Sequence, residues 1–336
     1  MNVPPTKAIH VPVADLRQLV TVLLQRVGLP PADADLIADL MIDTDLRGVF
    51  SHGTQTLHGY CRAFLTGQFN TSPDIRVVKE TPVSGLVDGD GGLGHLATHK
   101  AARLAIQKTR ATGLCLAVSR NHGHFGSAGK YVRMAVREGL IGFCVSGLLA
   151  REPEDTTVSA WAHSPLDNPP MSFGCPARDG YPVILDMCTS VVDEWDVESE
   201  RFQMIFQAMP SAVFRSFGLR AMADFLAAGL GGMMLPGLRL EDRRYSGAYY
   251  GAFLWVLDPA VFVDPDAFTA EVDRTTALIR RLRPLPGYDR ADLPGGPEWD
   301  REHAWALEGI PLGEHHQRSL EEIAAELGVA VPWRRT

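Results

Sequence analysis

No stretch of the 336-residue sequence approaches the ~20 consecutive apolar residues that span a bilayer, and the opening MNVPPTKAIHVPVADL holds no apolar run of signal-peptide length. No membrane association is expected, and the chain reads as cytoplasmic. Positive charge is also scarce. With 32 Lys and Arg against 40 Asp and Glu, the formal charge is -8 and no Lys/Arg run stands out, so nucleic acid is not an expected partner. Five cysteines (Cys61, Cys115, Cys144, Cys175, Cys188) form no CxxC pair. That argues against a disulfide framework or a zinc knuckle, so no metal is expected and the thiols read as reduced and mostly buried. Internal repeats are missing as well.

What is present is 46% hydrophobic residues in a chain longer than the ~250–300 residues at which single cores stop growing, so two lobes are expected. Leu16, Val20, Leu23 and Leu24, then Ala34, Ile37, Ala38 and Met41, recur at helical spacing around the breaker Gly28-Leu29-Pro30-Pro31. This predicts a helical hairpin over 13–46. The middle of the chain then alternates: a strand at 81–88, a helix at 97–112, a strand at 114–119, a helix at 126–138, and strands at 141–145 and 181–185. Residues 151–170 have the composition of a long connection. A helix over 217–234, a buried strand over 249–257, and mostly helix from 264 with a polar turn at 284–300 complete an α/β reading.

Gly89-Asp90-Gly91-Gly92-Leu93-Gly94 follows a predicted strand and precedes a helix, which is the setting of a dinucleotide-binding fingerprint. Asp90 puts a carboxylate where a pyrophosphate would approach, and the next strand ends at Arg120 where a ribose-binding acid is expected. Arg120 is a candidate for a 2′-phosphate, and a plain strand-to-helix glycine turn is the simpler reading.

Two histidine motifs carry chemistry. Asp45-Leu46-Arg47-Gly48 followed by Ser51-His52-Gly53 sets a hydroxyl and an imidazole at a helix end, beside a glycine that lets another molecule approach. Asn121-His122-Gly123-His124-Phe125-Gly126 comes straight after a buried strand and opens a helix, among unpaired N–H groups. One of these histidines is expected to be purely structural.

Taken in order, DLRG…SHG, DGDGGLGH, NHGHFGSAGKY…GLIG, PVILDMCTS and PLPGY…GIPL resemble the malate/L-lactate dehydrogenase family, which lies outside the Rossmann class, over nearly the whole chain. The resemblance implies a homodimer with a helical lobe from both chain ends (1–78 and 265–336) and a mixed, largely antiparallel α/β cofactor lobe (79–264). It makes the glycine fingerprint a coincidence. It implies NAD or NADP as cofactor and a small-molecule substrate flanked by His52 and His124 as catalytic residues, with Ser51 and Tyr60 nearby. It also implies cofactor contacts from Asn168, Asp186, Met187, Cys188 and Thr189, from Phe214 and Arg215, and from Gly287.

The sequence departs from this pattern in three places. Thr56 stands where the family has an arginine suited to a forked grip on a carboxylate, leaving Arg47 or Arg62 to take over. The family's glycine-rich lysine loop becomes Ala212-Val213-Phe214-Arg215, whose side chains keep a backbone away from phosphate. Asp167, before Asn168, adds a carboxylate near the same place. The expected activity is NAD(P)H-dependent reduction of a small 2-oxo acid or cyclic imino acid. The alternative is a non-redox acid–base enzyme (isomerase, lyase or hydrolase) that has abandoned the nicotinamide.

Overall fold

The structure, a computed structural model, describes residues 3–149, 168–192 and 196–333. Strand β1 (Ala8–Val11) leads into helices α1 (Val13–Arg26), α2 (Pro31–Asp45) and α3 (Leu57–Leu65). The expected hairpin forms because Gly28 takes the left-handed φ of +100° and Pro31 is preorganised for the first helical turn. The chain continues through β2 (Arg76–Thr81), β3 (Ser84–Asp88), α4 (Gly94–Thr112), β4 (Leu114–His122), α5 (Gly129–Val136) and β5 (Ile141–Leu148). After 168 come β6 (Pro170–Cys175), β7 (Val183–Cys188), α6 (Glu200–Ala208), α7 (Pro210–Asp224) and β8 (Tyr250–Leu257). Helices α8 (Pro265–Ile279) and α9 (Gly296–Glu308), strand β9 (Ile310–Gly313) and α10 (Glu314–Glu326) close it.

Seven strands make one sheet in the order β2-β3-β4-β8-β5-β6-β7. Only β3 and β4 run parallel, with α4 as their crossover; the other five pairings are antiparallel. This is the mixed, largely antiparallel sheet expected, and it differs from a Rossmann sheet, whose strands are mostly parallel. Small residues on α4 (Ala101, Ala102, Ala105) let the helix lie close over Cys115 and Ala117 of β4, in a core completed by Tyr131, Leu254 and Val256. A second core joins the chain ends: Leu16, Leu23, Ile37 and Met41 pack with Ile310, Leu312, Leu320 and Ile323. The antiparallel pair β1–β9, with Ile9 opposite Leu312, ties those ends together.

Several elements differ from the sequence reading. The strand expected at 81–88 is a hairpin turning after Thr81; its first arm, β2, is mostly exposed and so shows no alternating pattern. The helix expected over 126–138 starts only at Gly129, because Gly126 is left-handed. That expected over 217–234 begins at Pro210 and ends in a π turn, Phe225–Gly229. The polar turn at 284–300 stops at Gly295, which caps α9 with a φ of +99°. Strands β1, β6 and β9 were too short to show a period, and α6 was not anticipated. Most of the connection at 151–170, including Asp167, lies outside the described residues.

The Candidate active site

The two histidine motifs meet. Rings of His52 and His124, from a short turn after α2 and the loop after β4, lie 5.6 Å apart. Ser51 Oγ sits 3.0 Å from His52 Nδ1, and Tyr60 Oη, from α3, 2.6 Å from His124 Nδ1. Burial holds Tyr60 above the usual phenol range, so it stays a neutral hydroxyl. Burial, then His52 and Lys130, push His124 down to about 3; burial and Lys130 also lower His52. Both imidazoles are therefore neutral at pH 7. The structural histidine is His122: it is fully buried, with Nε2 2.9 Å from Ser119 Oγ and Nδ1 2.7 Å from the Gly123 carbonyl.

The turn bearing His52 is clamped from beneath. Thr54 donates to Asp45 Oδ2 from its hydroxyl (2.5 Å) and its N–H (3.1 Å), and Thr54 Oγ1 lies 2.8 Å from His316 Nε2 on α10. Gly53 does not make room for another molecule, as its position in the motif suggested. A Cβ there would fall 1.8 Å from Asp45 Oδ1, so the space is filled by the chain's own carboxylate. Burial raises Asp45 to about 7, against the pull of the Thr54 hydrogen bonds.

A pocket of about 160 Å³ is lined by His52, His124, Ser146, Leu148, Asn168 and Tyr250. It opens beside a cleft of about 1080 Å³. Arg47, Ser51, His52, Asn168, Asp186, Met187 and Cys188 line the cleft on one side, and Leu285, Tyr288 and Arg290 on the other. Asp186 opens onto it, but the walls around its carboxyl raise its pKa to about 6. Thr189 lies behind this wall, its hydroxyl donating to the Pro169 carbonyl at 2.9 Å, and Gly287 adjoins Tyr288 with a φ of +87°.

Other expected residues are placed differently. Thr56 spends its hydroxyl on the Gly53 carbonyl at 2.8 Å. Arg47 pairs with Asp43 (3.0 Å) and Glu302 (2.5 Å), and Arg62 with Glu326 (3.1 Å), so neither is free to grip a substrate. Phe214 and Arg215 lie on the exposed side of α7 and line neither cavity. The N–H groups of that helix are committed to its own ladder and cannot cradle phosphate as a loop would. The glycine turn after β3 is likewise occupied: Asp90 Oδ2 accepts from Asn70 (3.1 Å) and from the Asp74 N–H (3.0 Å), and Arg120 pairs with Asp88 at 2.9 Å. A Cβ on Gly94 would meet the Gly123 carbonyl at 2.3 Å, so this glycine serves packing against the histidine loop. Cys61, Cys115 and Cys144 are buried as expected; Cys188 is exposed on the cleft wall.

Sequence reasoning passed over Tyr250, whose ring meets His124 edge-on at 6.0 Å, and Ser146. Register alone brings them there, β5 pairing Leu148 with Tyr250 on β8. It also passed over Lys130, whose lone charge among Ala128, Gly129 and Tyr131 was the available signal.

The fold is thus a non-Rossmann sheet with a paired-histidine pocket beside a larger cleft. The profile of the malate/L-lactate dehydrogenase family matches residues 11–203 and 200–321, and the chain belongs to that family. It is similar to malate dehydrogenase of Pyrococcus horikoshii, 28% identical over an alignment of 352 residues that covers 96% of each chain. L-sulfolactate dehydrogenase of Methanocaldococcus jannaschii is 26% identical, covering 94% of this chain and 96% of the relative. The solved structure of the Pyrococcus horikoshii malate dehydrogenase superposes with a TM-score of 0.82 at 27% identity, over 98% of this chain and 99% of that one. The protein is thus an enzyme of the nicotinamide-dependent dehydrogenase class.

Proposed function

We propose that the protein is an NAD(P)H-dependent oxidoreductase reducing a small 2-oxo acid or cyclic imino acid, with His124 exchanging the proton. One observation carries this reading: His52 and Asn168 line both the 1080 Å³ cleft and the 160 Å³ pocket that holds His124. The cleft has the size for a dinucleotide and the pocket for a few heavy atoms, so their shared wall is where two reactants would be held in contact. Relatives named for malate and sulfolactate, both 2-hydroxy acids, support the substrate class.

The residues present fit a nicotinamide dinucleotide. Ile184, Met187, Leu285 and Tyr288 offer apolar walls and Arg283 offers positive charge for phosphates, while Arg137 and Arg290 would share theirs with Asp43, Asp292 and Asp300. Asn168, Asp186, Met187 and Cys188 would hold it from one side and the turn at Gly287-Tyr288 from the other. When bound, the cofactor supplies the hydride.

The chain's own residues manage the proton. With Tyr60 held at Nδ1, His124 has Nε2 left for the pocket. In reduction, imidazolium donates Nε2–H to the oxygen or nitrogen of the carbon being reduced; in oxidation, the neutral ring accepts that proton. Its depressed pKa makes the imidazolium a strong acid and leaves the ring neutral at pH 7 in the empty site. Ser51 fixes the ring of His52 opposite, and Leu148 and Tyr250 limit water access.

The test is thermal denaturation with NADH and with NADPH, followed by oxidation assays against 2-oxo and cyclic imino acids. A genuine cofactor at a hundred times its Kd stabilises by about 2.7 kcal/mol. If neither cofactor stabilised the protein and none were oxidised, the reading would fall. The non-redox acid–base alternative would then lead, supported by the continuous helix α7 where the family's phosphate loop was expected.

A further inference from the structure

Lys130 occupies a position that nothing in the fold rewards. It is 1% exposed, and its Nζ has no hydrogen-bond partner among the described residues. It lies in the first turn of α5, where the positive end of the helix dipole disfavours a cation. Its compensations are the Tyr131 ring, 5.6 Å from Nζ, and the attraction of nearby carboxylates. Burial lowers its pKa to about 7; Asp43, Asp186 and Asp45 oppose this fall and Arg133 adds to it.

The surroundings place this charge behind the loop that carries His124. The side chain folds back into the space left by Gly126: a Cβ there would fall 2.2 Å from Nζ and 3.0 Å from His95 Nε2. Gly126 is two residues from His124. Arg133, one turn on from Lys130 in α5, and Ser127, just before that helix, line the large cleft. Asp186 lines it too, and a Cβ on Gly129 would touch its carboxylate at 2.5 Å. Arg47, Arg133 and Arg137 are spent on Asp43, Arg290 on Asp292 and Asp300, and Arg62 on Glu326, while Arg283 stands among the residues from the other side of the cleft.

We propose that Lys130 determines the preference for anionic substrates: its buried ammonium, packed against Gly126 behind the histidine loop, supplies the positive field for a substrate carboxylate that Thr56 cannot supply. Lys130 is a positioning residue acting through space, and this inference rests on the proposed reduction of a carboxylate-bearing substrate. A buried cation without a hydrogen bond among the described residues is unfavourable in the empty protein, and the charge of an arriving carboxylate offsets it through space. Burial lowers His52, His95 and His124, and the Lys130 charge acts in the same direction on all three.

The experiment is titration calorimetry of the NADH-loaded protein with oxamate, an anionic mimic of a 2-oxo acid, and with its neutral counterpart oxamide. Wild type should prefer oxamate. Lys130→Met should weaken oxamate binding roughly 10- to 100-fold, the range of one charge-assisted contact, while oxamide binding changes less than twofold. Because the substitution removes an unpaired buried charge, the melting temperature should stay level or rise. Lys130→Gln serves as a second variant should the methionine protein not fold. Equal oxamate affinity in wild type and variant, no oxamate binding by wild type, or parallel loss of both ligands with a lower melting temperature would overturn the proposal. If NADH does not bind, the same titrations on the protein alone still test Lys130, so failure of the nicotinamide reading is seen separately.

Discussion

Tyr60 Oη and His124 Nδ1, 64 residues apart in the chain, lie 2.6 Å apart, and this hydrogen bond fixes which imidazole nitrogen is available to the pocket. Replacing His124 by Ala removes the proposed proton donor, and kcat should fall by ~10²–10⁴ with the fold intact. Tyr60→Phe leaves the imidazole but frees its orientation, so a smaller loss of about three- to tenfold is expected, the worth of one neutral hydrogen bond. Steady-state kinetics on both variants check the order; His124→Ala retaining more than a tenth of wild-type kcat would remove the assignment.

Cys188 is the only exposed cysteine and lines the large cleft. If the cleft takes the dinucleotide, saturating NADH or NADPH should slow alkylation of Cys188 severalfold while labelling of Cys175 is unchanged, read by peptide mass spectrometry. Affinity should be weaker than a dehydrogenase with a phosphate-cradling loop would show. Two lost charge-assisted contacts correspond to roughly two to four powers of ten. Low-micromolar binding by calorimetry would show that the arginines of the cleft replace them.

Gly53→Ala should destabilise the protein by ~1–3 kcal/mol, because the new methyl would overlap the Asp45 carboxylate that holds Thr54. His52 lies on the same turn, so activity should fall further than stability does. Denaturant unfolding together with kcat measures both; a variant as stable and active as wild type would show that the clamp is dispensable.

Stability should decline as pH falls from about 6.5 towards 4. Burial is the leading cause of the shifts of His122 and His316 to about 4, His124 to about 3, and His95 well below its ordinary value. In that window the unfolded chain binds more protons than the fold, so stability rises with pH. Asp45 and Asp186, raised to about 7 and 6, act in the opposite sense because the fold holds their protons longer. Four histidines against two carboxylates leave a net loss on acidification. Asp43 adds to it below its ordinary value: burial alone would raise it, but Arg133, Arg47 and Arg137 hold it well below. Melting curves at steps between pH 4 and 7 test the slope, which His316→Gln should flatten.

The protein should sediment as a homodimer at micromolar concentration. Phe214, Met222, Phe225 and Leu230 on α7 and the turn after it are 75%, 52%, 63% and 58% exposed, an apolar face suited to a second copy. Phe214→Glu with Phe225→Glu should shift the equilibrium towards monomer. A monomeric wild type would refute the expectation.

Local sequence determined the elements whose signals are local. Periodicity set out the hairpin of α1 and α2; the glycine at position 28 and the proline at 31 fixed its turn; the two histidine motifs marked the reactive groups. Tertiary structure decided what those motifs do. It sorted His122 from His124 by giving the first two hydrogen-bond partners and the second a pocket. It turned the glycine loop into a packing device by supplying Asn70, Asp74 and Gly123 as its partners. It joined the chain ends through β1 and β9, four residues each and too short to carry a period. Arg47 and Lys130 show why the rest was not legible: a charge in a sequence has no partner until folding assigns one, and folding gave Arg47 two carboxylates and left Lys130 Nζ without a hydrogen-bond partner among the described residues.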